Sequence, residues 1–215
     1  MTATNDQLIL WGVGTSRTLR AHWALHELGL HYQVRPIQSR TGETQTAEFT
    51  ALNQRQKIPV LQDGDLTLSE SAAIVTYLSD RYANDNNRLV PLAGAPRAQC
   101  IEACFFIISE LDATTLYVIR RHEGLPEIYG RAPAANEAAR AYFQKQMRTV
   151  EQLLADERPY LLGDGFSAAD LLLSTCLSWA RAYRIGLSAR VQAYNDAIMA
   201  RPAYKAATQG NAIPK

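Results

Sequence analysis

The sequence predicts an α/β N-terminal domain built on a four-stranded mixed sheet, followed by an all-α C-terminal domain. Three observations predict it. Short apolar strand-like runs alternate with helix-period segments over the first eighty or so residues. A composition break, ANDNNRLVPLAGAP, then carries three Asn, two Pro and a Gly. Beyond it every segment reads as helix, with apolar residues such as Ile101, Phe105, Ile108 and Leu111 at spacings of three and four. The expected boundaries are 1–83 for the first domain, 84–96 for a linker and 97–215 for the helical domain.

Taken in order, Leu8 to Val13 (LILWGV) is the first strand, and Gly14-Thr15-Ser16 turns it into a helix through Leu28. Leu19, Trp23 and Leu28 form the core stripe of that helix, with Ala21 and Ala24 beside it. Gly29 stands where a left-handed C′ residue belongs, with Leu30 after it. Tyr32 to Ile37 alternates as a second strand, a polar loop runs from Gln38 to Thr46, and Ala47 to Leu52 is a short helix. Val60 and Leu61, a turn at Asp63-Gly64, and a return strand from Asp65 to Leu68 form a hairpin. Ala72, Ile74, Val75 and Leu78 then follow at helical spacing. The order β-α-β-loop-α-β-β-α, with a right-handed crossover between parallel strands, is thioredoxin-like.

In the second half, Arg97 to His122 places Ile101, Phe105, Ile108 and Leu111 on one helical stripe, punctuated by Gly124 and Pro126. Ala134 to Asp156 is a second long helix. Ser167 and Asp170 make a capping box, and Leu171 to Trp179 is apolar on nearly every side, so it runs through a core. Ser188 to Ala200 is a further helix, broken by Arg201-Pro202.

Composition narrows the function. The 215 residues are 47% hydrophobic and 20% charged, with Lys+Arg 22 against Asp+Glu 21. A net charge of +1 gives no electrostatic footprint for nucleic acid or a membrane surface. No apolar run approaches the length of a membrane span, and the polar start MTATNDQ shows no secretory signal. Cys100, Cys104 and Cys176 show no pairing pattern and no C-x-x-C, as expected of buried thiols in a reducing cytoplasm. His22 and His26 are four apart without a third ligand at a recognisable spacing, so no metal is expected.

The chemistry centres on Lys57 to Tyr82, where the hairpin delivers Glu70-Ser71 to the first turn of a helix. The first N–H groups of a helix lack internal partners and the dipole is positive there, so a carboxylate can rest on the Ser71 N–H and hydroxyl. Glu70 beside it can accept from an ammonium, and the two charges together describe an amino-acid head group. If the Ile58-Pro59 bond is cis, Ile58 turns its N–H and C=O outward for a peptide to pair with. The competing reading is that Ser-Glu-Ser only caps the helix and Pro59 only opens an edge strand.

The segment IPVL-x-DGDLTLSESAAIVTYL resembles the glutathione-binding core of cytosolic glutathione transferases, and FSAADLLL and RPAYKA are similar to that superfamily's core-helix box and terminal R-P motif. The resemblance implies a cis Pro59, with Glu70 and Ser71 on the γ-glutamyl end of glutathione. It further implies glutathione as co-substrate without a metal, a homodimer, and a thiol directed at the turn Val13 to Arg20. That turn has no Tyr or Cys, so the chain resembles the serine-type, bacterial-like members. Ser16, four residues before Arg20, is the first choice as donor to the sulfur, and Thr15 is the second. Lys57, with Arg17, would meet the glycine carboxylate. Asn53-Gln54-Arg55-Gln56 departs from the N-P-x-G of the pattern, which brings Gln56 or Asn53 toward the ligand. Trp11, Tyr117, Arg120 and Arg121 are the candidate walls for a second substrate between the domains. The expected activity is addition of the glutathione thiolate to a small hydrophobic electrophile. The alternatives are a non-catalytic glutathione-binding or interaction module, and a glutathione-dependent isomerase or peroxidase.

Overall fold

A computed structural model of the chain describes residues 8–214. The polar stretch 1–7 discussed above lies outside the described residues. The chain divides into two units, Met1–Val90 together with Met199–Lys215, and Pro91–Ile198. The boundary thus falls within the expected linker, and residues 199–215, expected in the helical domain, group with the N-terminal unit.

In the first unit, β1 (Leu8–Trp11) leads to α1 (Ser16–Glu27), β2 (Gln33–Arg35), α2 (Ala47–Leu52), β3 (Val60–Asp63), β4 (Leu66–Ser69) and α3 (Ser71–Tyr82). The sheet order is β2-β1-β3-β4, with β1 parallel to β2 and the other pairs antiparallel. Leu8 and Leu10 are buried on one face of β1. Trp11, on the opposite face by the two-residue period, packs on Phe49 of α2 at 5.9 Å between ring centroids. The strands are shorter than expected. The hairpin turn is Gly64-Asp65 rather than Asp63-Gly64, because Asp63 still pairs with Leu66. Gly64 takes the first turn position with φ of 56°, which a side chain would resist.

Helix α1 closes in a Schellman motif, with Leu30 N–H on Leu25 O at 2.9 Å and Gly29 N–H on His26 O at 3.2 Å. Its buried stripe is Ala21, Trp23, Ala24, Leu25 and Leu28. Leu19, assigned to that stripe above, is only half-buried, one position off the centre of the inward face. α10 (Pro202–Gly210) packs along α1. Tyr204 meets the edge of Trp23 at 4.8 Å, and Arg201 forks onto both oxygens of Glu27 at 2.7 and 2.8 Å. The Arg-Pro step therefore starts a helix whose guanidinium is spent on the first unit, which explains the grouping of the tail.

The second unit holds α4 (Gly94–Phe106), which widens into π-helical geometry at Ile107–Leu116, tightens briefly at α5 (Tyr117–Ile119) and widens again at Arg120–Gly124. Here the buried positions are Cys100, Ala103, Cys104, Ile107 and Leu111, while Phe105 is 68% exposed and Ile101 and Ile108 are half-buried. Of the expected stripe Leu111 is in the core, while Cys100, Cys104 and Ile107 take the inward places expected of Ile101, Phe105 and Ile108, because a buried Cys is as apolar as its larger neighbours. α6 (Pro126–Tyr129), α7 (Pro133–Leu153), α8 (Ala168–Ala182) and α9 (Ala189–Met199) follow. α8 is buried nearly throughout, as its apolar run predicts.

The capping box at α8 anchors this unit. Asp170, 0% exposed, accepts from Ser167 N–H (2.8 Å), Ser167 Oγ (2.7 Å), Leu161 N–H (2.6 Å) and the Tyr194 hydroxyl (2.6 Å). Burial, together with Asp170, pushes the Tyr194 phenol well above its ordinary range, so that hydroxyl stays a donor. Asp170→Ala leaves four donors without their acceptor, and we expect it to lower stability by about 3 kcal/mol in urea denaturation. A loss within experimental error of zero would remove the box as the anchor.

Candidate active site

Three backbone features of the first unit meet at the candidate site. At the start of α1, Thr15 is the N-cap, with φ −127° and ψ 158°. Its Oγ1 accepts from Thr18 N–H at 3.0 Å, and its own N–H donates to Thr18 Oγ1 at 3.0 Å, a reciprocal box. Thr15, one of the two thiol-donor candidates, thus has its hydroxyl committed to the helix. Ser16 is the first residue of the helix, half-buried, and its hydroxyl has no partner among the described residues. The cap is thus Thr15 and not Ser16.

The turn before Ser16 is braced from beneath. His22, 0% exposed, lies with Nε2 3.2 Å from Gly12 O and Nδ1 2.7 Å from the Tyr32 hydroxyl. A carbonyl only accepts, so Nε2 carries the proton and Nδ1 accepts from Tyr32. Tyr32 in turn lies 3.4 Å from His26 Nε2. Burial holds the His22 pKa down to about 4, against the raising effect of the Gly12 bond, and burial pushes the Tyr32 phenol up to about 12. The pair His22 and His26 is therefore occupied with structural hydrogen bonds.

The second feature is the approach to β3. The Ile58-Pro59 bond is cis. The Ile58 N–H and C=O have no hydrogen-bond partner among the described residues, while its side chain is in the core with Phe49 and Val60. Gln56 occupies the glycine place of the N-P-x-G pattern and adopts φ of 53°, a backbone that favours glycine. Its Nε2 donates to Thr50 Oγ1 at 3.0 Å. Asn53 is buried and braces the same loop through Nδ2 on Lys57 O at 2.8 Å. Lys57 is exposed and Arg17 half-buried.

The third feature is the start of α3. Ser71 is its first residue, 6% exposed, and the buried Arg20 guanidinium of α1 lies 3.4 Å from Ser71 Oγ. Glu70 precedes it at φ 73° and ψ 113°, a strained conformation for a non-glycine residue of the kind found at ligand sites. Its carboxylate is turned to solvent, the side chain being 68% exposed. Arg55, a residue sequence reasoning passed over, sets Nη1 3.0 Å from Glu70 Oε1 and Nη2 on Ser69 Oγ. The available signal was a cation in the very loop that departs from the N-P-x-G pattern. An exposed pair of this kind contributes about 0–1 kcal/mol and leaves Glu70 lone pairs for a second cation.

The family model of the glutathione S-transferase N-terminal domain matches residues 6–80, and that of the glutathione S-transferase C-terminal domain matches residues 133–206. Glutathione S-transferase 3 of Zea mays is 32% identical over 219 residues, covering 96% of each chain. The chain belongs to the glutathione S-transferase family. The glutathione S-transferase GstA of Escherichia coli O157:H7 is 28% identical, with 86% of this chain and 89% of the relative covered. Among solved structures, a glutathione transferase from Methylococcus capsulatus superposes with a TM-score of 0.83 at 28% identity, covering 95% of this chain and 98% of the other. A theta class glutathione S-transferase from Xanthomonas axonopodis pv. citri, solved with glutathione bound, gives 0.78 at 27% identity over 97% and 98%.

In this glutathione S-transferase the second-substrate candidates fall in both units. Trp11 donates its indole N–H to Gln62 Oε1 at 2.7 Å and lies on the Phe49 cluster. In the helical unit, Arg121 sits over Tyr129 at 4.5 Å and Tyr117 at 5.8 Å from the ring centroids. Arg120 is half-buried in the π-helical segment.

Two outcomes test this geometry. Thr15→Ala should cost about 1 kcal/mol through the lost cap, while Ser16→Ala stays within ~0.5 kcal/mol, both by urea denaturation. Equal costs would contradict the division of labour between the two hydroxyls. His22 is neutral in the fold until about pH 4, whereas the unfolded chain protonates near 6.5. Its contribution is therefore full above pH 6.5 and drains away as the pH falls toward 4, by on the order of 3 kcal/mol. His22→Gln should flatten the slope of denaturation midpoint against pH in that window.

Proposed function

We propose that the protein binds glutathione along Ile58 and the start of α3, stabilises its thiolate at the start of α1, and adds it to small hydrophobic electrophiles. The observation that carries this reading is the Ser16 hydroxyl on the first turn of α1, which has no partner among the described residues, beside Thr15, whose hydroxyl is already used. Ser71, with the free N–H groups of α3, would take the γ-glutamyl carboxylate and Glu70 its ammonium. The open backbone of Ile58, just before Pro59, would pair with the cysteinyl residue as an added strand. Lys57, Arg17 and Gln56 are the groups proposed for the glycine carboxylate.

Magnitudes decide how little else is needed. A free thiol has a pKa of about 8.5, and lowering it by ~2 units requires about 2.7 kcal/mol of selective anion stabilisation. A helix N-terminus supplies roughly 0.3–1 kcal/mol. One hydroxyl donating to a charged sulfur supplies about 1.5–3 kcal/mol. The sum reaches the requirement, with the proton leaving to solvent. The remaining work is holding the thiolate against its electrophile.

Trp11, Tyr117, Arg120 and Arg121 are the proposed contacts of that electrophile. We propose a homodimer, supported by the 68% exposure of Phe105 on α4. A cytoplasmic location fits three buried free thiols, and among the described residues no helix is long and apolar enough to cross a membrane.

Ser16→Ala should lower conjugation turnover by about 10–1,000-fold while glutathione affinity changes by less than about twofold. Ultraviolet titration of the bound thiol should show its pKa below the solution value in the wild type and near that value in the variant. Unchanged turnover removes Ser16 from the mechanism. A wild-type thiol that titrates as in solution points to a glutathione-binding module instead.

A further inference from the structure

The turn that presents Ser16 is held from above by a residue almost two hundred positions away. Just past α10, Asn211 accepts from Gly14 N–H through its backbone oxygen at 2.9 Å, with its side-chain Oδ1 3.2 Å from the same nitrogen. Its Nδ2 donates to Thr15 O at 3.2 Å. The Thr18 hydroxyl donates to Oδ1 at 2.6 Å. One side chain thus grips the backbone before Ser16 and the capping box after it. Ile213 closes the same spot, since a Cβ placed on Gly14 would lie 2.8 Å from Ile213 Cγ1. Gly14 is also at φ 79°, so this turn accepts a side chain neither conformationally nor sterically.

An ordinary helix end does not require this. The C-cap role of Asn211 is met by its backbone N–H on Ala207 O at 2.8 Å. Its amide is free to face solvent, yet both ends of it are directed at the α1 turn. What that turn controls is the direction of the Ser16 Cα–Cβ bond and of the first N–H groups of α1. Hydrogen bonds weaken steeply with misalignment, and a shift of about 1 Å at a reacting centre can cost on the order of 100-fold in rate.

We infer that Asn211 is a positioning residue for thiol activation. It fixes the Gly14-Thr15-Ser16 turn so that the Ser16 hydroxyl and the α1 N-terminus point at the glutathione sulfur. The inference rests on the role of Ser16 proposed above. It makes the α10 end part of the active site, although it touches neither Glu70 nor Ser71.

The test uses the full chain with Asn211→Ala and Asn211→Asp. Glutathione affinity is measured by calorimetry, the bound-thiol pKa by ultraviolet titration, and turnover against pH with an activated chloronitroarene. Asn211→Ala should raise the bound-thiol pKa by about one unit and lower turnover about tenfold at neutral pH, with affinity within about twofold. Asn211→Asp keeps the shape and the acceptor for Thr18, loses the donor to Thr15, and adds a negative charge near the sulfur. It should raise the thiol pKa further than Ala does. Folded variants that titrate like the wild type, with only a lowered melting temperature, overturn the inference and leave the role of Ser16 standing. If the Ala variant does not fold, the Asp variant decides by the same thiol criterion. A wild-type thiol pKa at the solution value removes the role of Ser16 first, and the inference falls with it.

Discussion

The backbone between Gly12 and Ser16 exposes polar groups that the backbone ladders of β1 and α1 do not satisfy, and side chains of α1 together with the end of α10 supply their partners. Gly12 O is met by His22, Gly14 N–H by Asn211, and the Thr15 N–H by the Thr18 hydroxyl. Each of these partners is itself held: His22 by Tyr32, Asn211 by the end of α10, Thr18 by the cap it shares with Thr15. The consequence is a division between two adjacent hydroxyls. One belongs to the helix, and the other is left to whatever approaches the helix from outside.

A second helix start repeats the theme with different parts. At α3 the residue before the helix is forced to positive φ, which turns the Glu70 side chain out to solvent while Ser71 stays buried against the Arg20 guanidinium. Arg20, buried in α1, therefore ties the two helix starts together through its contact with the Ser71 hydroxyl. Arg55 gives Glu70 a cationic neighbour from the loop before Pro59.

Much of this was legible along the chain because the signals are local. The helix starts at Thr15-Ser16 and Ser71, the Gly29-Leu30 ending, the box at Ser167-Asp170 and the fully apolar α8 each depend on neighbours within a few residues. Where reading failed, the deciding partner was remote or the residue chemically ambiguous. The hairpin turn moved by one because the register with β1 keeps Asp63 in its strand. The stripe on α4 rotated because Cys100 and Cys104 are as apolar in a core as the phenylalanine that ended outside. Arg55 was passed over because its partner is fifteen residues on, across the hairpin.

The cis Pro59 was implied only by the family resemblance, whereas sequence alone determined the order of elements and the residue types at both helix starts. These follow from propensity, turn chemistry and period, which act over a few residues. The tertiary structure decided which hydroxyl of Thr15 and Ser16 is left unspent, that residues 199–215 belong with the first unit, and that Asn211 closes the turn. Those outcomes depend on which buried donor meets which acceptor once the chain has folded back, and no spacing along the sequence records that meeting.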